Sequence, residues 1–123
     1  MISSNFKIED RMINMADKYI TMIQGDTLSF GIVLEDQYGQ ATDIDNAIFI
    51  AKKNYTDDNR LFEKTIGDGI ERDDVGSYTV RVAPEDTINA DAGRYYYDLR
   101  VGIDDDMYTF MHGIIEIEPR VTN

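Results

Sequence analysis

The chain of 123 residues has no cysteine, one histidine and two prolines. No apolar run in it approaches the ~20 residues that a membrane-spanning helix needs. Without cysteine, a disulfide framework and a thiolate nucleophile are both excluded, and the redox compartment is left open. Cations are scarce as well: 12 Lys plus Arg stand against 24 Asp plus Glu, for a formal net charge of −12. Such a surface repels phosphate backbones, so nucleic acid is not an expected partner. It also disfavours anionic membranes. It suits a solvated, self-repelling surface, cation binding or basic partners; the sharpest form of the last is an acidic inhibitor that mimics DNA. The N-terminal stretch MISSNFKIEDRMINMADKYI has neither the apolar run nor the small-residue cleavage site of a secretory signal. Synthesis in the cytoplasm of the producing cell, with no signal peptide, is the expectation.

Groups for catalysis are correspondingly thin. His112 would need a serine beside it for a nucleophilic arrangement, and none of Ser3, Ser4, Ser29 and Ser77 lies in a nucleophile elbow. One histidine without cysteine disfavours a transition-metal site. Carboxylates are paired at Asp57-Asp58, Asp73-Asp74 and Asp104-Asp105-Asp106. Glycosidases hold two carboxyls about 5–10 Å apart across a groove, whereas these acids are adjacent in turns, as suits solvated loop tips. The triple Asp104, Asp105 and Asp106 is the candidate for weak calcium binding, because hard cations take oxygen ligands from such loops. Gly67-Asp68-Gly69 lacks the lysine and the length of a phosphate loop. No enzyme activity, cofactor or dedicated metal site is expected.

What the chain does have is period-two patterning broken by turn residues. A chain of this length buries roughly two-thirds of the surface its unfolded form exposes, enough for one domain without a staple. In LSFGIVL, Leu28, Phe30, Ile32 and Leu34 share a face. Ala47 to Ala51 is nearly continuous apolar, as in a covered central strand. Leu61 to Ile66 resumes after the polar loop Asn54 to Arg60, and Gly67-Asp68-Gly69 turns the chain. In Ser77 to Val82, Tyr78, Val80 and Val82 face in, and Pro84-Glu85-Asp86-Thr87 follows as one helical turn. The last strand, Met107 to Glu118, has its alternation blurred around His112-Gly113, where a bulge or twist is expected. About seven short strands with turns between them predict an immunoglobulin-like β-sandwich over residues 19–123, with a small closed barrel as the competing all-β solution. Residues 1–18 form a separate N-terminal arm in this reading, with Phe6, Ile8, Met12 and Ile13 as candidate contacts to a neighbour. Its deletion is expected to weaken assembly and leave the sandwich folded.

The stretch DAGRYYYDLRV, residues 91 to 101, sharpens the reading. Asp91-Ala92-Gly93-Arg94-Tyr95 fits the corner of an immunoglobulin-like domain, in which a tyrosine hydroxyl bonds back to backbone. Tyr97 falls where antibody domains carry a cysteine and fills the inter-sheet space instead. Asp91, Gly93, Tyr95 and Tyr97 are therefore expected to build core and corner. Alternation turns Tyr96 outward, as a lone exposed aromatic or as an interface anchor. Tyr108 is a second outward candidate.

Several stretches together carry a resemblance: Gln24-Gly25-Asp26-Thr27, Ala51-Lys52-Lys53-Asn54, Lys64 to Ile70, Tyr78 to Thr87, Ala92 to Leu99 and Gly113 to Glu118. In this order the chain resembles small tail or baseplate-associated proteins of phages and prophages of low-GC Gram-positive bacteria. It is similar to the immunoglobulin-like N-terminal domain of the baseplate upper protein over residues 19 to 119. The resemblance implies a non-catalytic structural role in a virion tail, synthesis in the host bacterial cytoplasm, and other tail or baseplate proteins or further copies of the chain as partners. The baseplate protein continues into receptor-binding segments, and a stand-alone connector or decorating subunit is the form expected here. A carbohydrate or cell-surface binding module is the alternative, since one fold hosts many functions; it predicts an exposed aromatic cluster beside polar groups.

Overall fold

The computed structural model describes residues 5–9, 15–16, 19–36 and 38–122, with backbone alone for 5–9 and 15–16. Among the described residues the chain is all-β apart from one helical turn. The strands are β1 (Asn5–Glu9), β2 (Met15–Ala16), β3 (Tyr19–Ile23), β4 (Leu28–Glu35), β5 (Asn46–Lys52), β6 (Phe62–Ile66), β7 (Gly69–Asp74) and β8 (Ser77–Val82). The turn α1 (Pro84–Thr87) follows, then β9 (Gly93–Ile103) and β10 (Asp106–Glu118). All belong to one mixed sheet in the order β1-β4-β8-β7-β6-β5-β9-β10-β3-β2. Pairing is antiparallel except between β3 and β10 and at the short contact of β6 with β7.

Side-chain alternation decides which face each strand buries. Leu28, Phe30, Ile32 and Leu34 of β4 are buried, as are Tyr78, Val80 and Val82 of β8 and Tyr95, Tyr97, Leu99 and Val101 of β9. Ile20 and Met22 of β3 join them beside Ile115 and Ile117 of β10. These residues form one core, which requires the sheet to fold over on itself. Phe30 on β4 meets Phe49 on β5 edge-on, with ring centroids 5.7 Å apart, although β8, β7 and β6 lie between their strands in the sheet order. Phe49 also packs on Phe62 and Tyr97 at 5.2 and 5.7 Å. Each such aromatic contributes about 1.5–3 kcal/mol by leaving water.

The fold-over happens at the β6–β7 corner. Asp68 N donates to Thr65 O and Gly67 N to Ile70 O, and Gly69 has φ +101°. A Cβ on Gly69 would lie 2.4 Å from Cδ of Lys64, so both the conformation and the close approach require glycine there. Asp43, between β4 and β5, ties that crossover to β7 and β8. It accepts two bonds from the Arg72 guanidinium at 3.1 Å each and one from Gly76 N at 2.8 Å. The Tyr78 hydroxyl donates to the same carboxylate at 3.3 Å, and its oxygen accepts from Ile44 N at 3.1 Å. Arg72 and then the Gly76 amide hold the Asp43 carboxyl below the usual carboxylate range.

Among the described residues there are ten strands where about seven were expected, for definite reasons. β7 buries Ile70 but leaves Glu71, Arg72, Asp73 and Asp74 exposed, so it shows no period-two signal; backbone pairing with β8 makes it a strand. The backbone of Asn5–Glu9 pairs antiparallel with Glu35–Gly31 of β4, so the arm adds a strand to its own sheet. Phe6 and Ile8 lie on that strand, and Met12 and Ile13 lie outside the described residues. The irregularity expected at His112-Gly113 falls earlier, between Thr109 and Met111, and Gly113 stays in register opposite Tyr97. The extra residue changes the parity of β10. Upstream of it Tyr108 pairs with inward-facing Val101. Tyr108 is therefore half-buried against the core, not turned outward as expected.

Candidate functional site

The three tyrosines of β9 have separate fates. The Tyr95 hydroxyl donates to the carbonyl of Asp91 at 2.8 Å, closing a corner just before the strand. Gly93 opens that strand with φ +136°. Asp91 contributes its backbone oxygen to the bond, and its carboxylate is not the acceptor. Lys53 places its ammonium 4.8 Å from the centre of the Tyr95 ring, a favourable cation–π distance. The preceding turn α1 braces this end: Asp86 accepts from Ala83 N at 2.7 Å and pairs with Lys64 at 2.7 Å, and the Thr87 hydroxyl accepts from Gly25 N at 2.9 Å. Tyr97 faces the core against Phe49, and burial pushes its phenol up to about 12. Burial likewise raises Tyr95. Tyr95 and Tyr97 are thus buried in corner and core, whereas Asp91 is exposed and Gly93 half-buried at the corner.

Tyr96 points the other way. Its ring stacks on that of Tyr55, from the loop between β5 and β6, with centroids 4.2 Å apart and planes at 25°. Tyr55 remains 75% exposed. The pair stands over a groove of about 350 Å³ on the outer side of β5 and β9. Antiparallel register builds the groove: Ile48 is opposite Arg100, Ile50 opposite Asp98 and Lys52 opposite Tyr96. The two isoleucines are half-buried and form an apolar floor. Lys52, Arg60 and Arg100 line it with Asp98, three cations to one acid on a chain whose acids outnumber its cations two to one. Arg60 forms an ion pair with Glu63. Further along this face Arg94 and Glu116 pair at 3.8 Å, and the Tyr19 hydroxyl donates to the same carboxylate. A second groove of about 330 Å³ lies over β7 and β8, where Lys64 and Arg81 alternate with Asp68, Glu71 and Glu85.

The other candidates are scattered. Asp104, Asp105 and Asp106 are exposed at the β9–β10 hairpin tip, and among the described residues no three acids or histidines gather in a metal-holding group. Asp104 has φ +57°, and its amide donates to the Asp45 carboxylate at 2.7 Å, which holds the tip in place. His112 is exposed opposite Asp98. The stacking partner Tyr55 and the cation cluster escaped the sequence reading. Tyr55 lies in a polar loop, and nothing in its linear neighbourhood indicates that the loop folds back over β9.

No protein-family model and no curated protein matches the chain. Among solved structures, it is similar to a family 123 glycoside hydrolase from Clostridium perfringens, described for glycolipid glycan hydrolysis. That likeness has a TM-score of 0.50 and 13% identity over 97% of this chain, which spans 28% of that one. It is also similar to murine CRIg, with a TM-score of 0.48 and 10% identity over 95% of this chain and 98% of that one. At such identity the likeness to the hydrolase concerns the all-β fold alone.

Proposed function

We propose that this chain is a non-enzymatic assembly subunit of a phage or prophage tail or baseplate, built as an immunoglobulin-like β-sandwich and acting by docking onto other tail or baseplate proteins. The sandwich reading is supported by the strand order. In that reading β4-β8-β7 make one layer and β6-β5-β9-β10-β3 the other, divided at the β6–β7 corner of the one continuous sheet, with the contact of Phe30 and Phe49 between them. The Tyr95 corner bond belongs to the same architecture. The phage attribution rests on the ordered stretches that resemble the baseplate upper protein. The observation that carries a docking role is the outer face of β5 and β9. There a stacked tyrosine pair stands over an apolar floor within a charged rim, the composition of a protein interface with an aromatic anchor.

The test is whether the chain belongs to particles. Antibody labelling and quantitative mass spectrometry of phage-like particles released by the producing cells should find it on the tail in a fixed copy number. A chain absent from purified particles overturns the proposal. The Tyr55–Tyr96 pair beside Asp98 and Arg100 also favours a second reading, a cell-surface glycan module. That reading requires calorimetric binding to purified host cell-wall glycan, lost in Tyr55→Ala. No heat of binding removes it.

A further inference from the structure

The groove on the outer face and the β9–β10 hairpin tip are complementary in chemistry and are successive features of the same strand β9. The groove has an apolar floor, Ile48 and Ile50, beneath Lys52, Arg60 and Arg100. The tip presents Asp104, Asp105 and Asp106 followed by Met107, which is 41% exposed. One is a cationic trough with apolar contact area, and the other an acidic projection with an apolar side chain at its base. The tip is preformed. The Asp104 amide is held by Asp45, the Asp45 amide donates to Gly102 O at 2.8 Å, and Asp106 is in register with Ile103 across the hairpin. Little ordering cost would therefore oppose its docking.

We infer that the groove takes the Asp104–Met107 hairpin tip of a second copy of this chain, giving a head-to-tail contact. The inference rests on the proposed docking role of the outer face and names its occupant. The contact is between copies because the chain cannot make it with itself. The groove runs along β9 from Tyr96 to Arg100, seven to three residues before Ile103, roughly 23 to 10 Å at about 3.3 Å per residue, and an extended strand cannot turn its own tip back onto the face it floors. Charge complementarity favours this occupant over a neutral glycan, and the β-branched aliphatic floor suits a methionine better than a sugar ring. In the groove Lys52 and Arg100 stand beside Asp98, and Arg60 is shared with Glu63, so the tip's three carboxylates meet local attraction on chains that otherwise repel each other at −12. A contact between two different patches repeats, closing into a ring or continuing as a line of subunits.

The test is light scattering after size-exclusion chromatography of the full chain over a range of concentrations, at low and at high salt. Association that rises with concentration and falls at high salt is expected, because exposed charge pairs are screened. Two variants locate it: Tyr96→Ala with Arg100→Glu in the groove, and Asp105→Lys with Asp106→Lys in the tip, each checked by circular dichroism for an unchanged fold. Each alone should weaken association about tenfold or more, the loss expected for an interface anchor. Mixed in equal amounts, the two should form a heterodimer and nothing larger, since together they retain one intact groove and one intact tip. A wild-type chain that is monomeric at every concentration overturns the inference. So does association indifferent to both variants, or a mixture that stays monomeric. If a variant fails to fold, the salt dependence and a cross-link joining the tip to the groove of another copy decide. A chain found on particles but monomeric in solution would sink head-to-tail docking and leave the assembly role standing. A self-associating chain absent from particles would do the reverse.

Discussion

The two sides of β9 differ in kind although consecutive residues build them. On the inner side Tyr95 and Tyr97 are 6% and 4% exposed, one bonded into the corner and one against Phe49. On the outer side Tyr96 touches a loop tyrosine that is itself mostly in solvent. The same side chain is thus a structural element at odd positions and a surface element between them. What separates them is the partner: the inner residues meet the other side chains of the core, and the outer one meets a loop and an open groove.

The largest effect should come from emptying the inner side. Tyr97→Ala removes a ring that packs edge-on against Phe49, and a loss of about 3–5 kcal/mol is expected in urea unfolding, as for other buried aromatics replaced by alanine. Tyr95→Phe should cost less, about 1 kcal/mol, because it keeps the ring and removes the hydroxyl that satisfies the Asp91 carbonyl. A cost near zero would show that water replaces the bond and that the corner is not held by it.

Alkaline pH offers a route without truncating the ring. The Tyr97 phenol is raised to about 12 by burial, above its ordinary 10.0. A raised folded value means that the stability tied to the proton is fully present below pH 10. It is lost as pH rises toward 12, because the unfolded chain releases the proton first. Melting temperature should therefore fall over that window, and Tyr97→Phe should flatten the fall. Tyr95 and Tyr78, also raised by burial, should leave a residual slope. Equal slopes in wild type and Tyr97→Phe would assign the alkaline loss elsewhere.

The smallest stability effects belong to the outer side. Tyr55→Ala and Tyr96→Ala should change unfolding free energy by about 0.5 kcal/mol or less, as surface substitutions do, while Tyr96→Ala weakens association. A stability loss as large as that of Tyr97→Ala would erase the contrast between the two faces and make the stacked pair part of the core.

Much of the inner side was legible in the chain. Alternation in β4, β8 and β9 indicated which residues are buried, and Asp91 to Tyr95 indicated a corner. The strand β7 was not legible, because its exposed Glu71 to Asp74 gain nothing from burial and are held by backbone pairing with β8 and by polar contacts such as Arg72 with Asp43. Tyr108 was misplaced because one extra residue between Thr109 and Met111 changes which side faces the core. The groove was least legible: Tyr96 was expected outward on the same face as Arg100, but Lys52, Tyr55 and Arg60 come from a segment about forty residues earlier that shares no motif with β9.

By itself the sequence determined the all-β character, the inward set of each well-alternating strand, and the absence of cysteine chemistry. These follow from local periodicity and residue type, which act within a few positions. Only the tertiary structure decided that the sheet folds over at Gly67 to Gly69, that Tyr55 covers Tyr96, and that three of the scarce cations share one groove. Those outcomes depend on contacts between segments far apart in the chain, and the pairing of distant strands sets them.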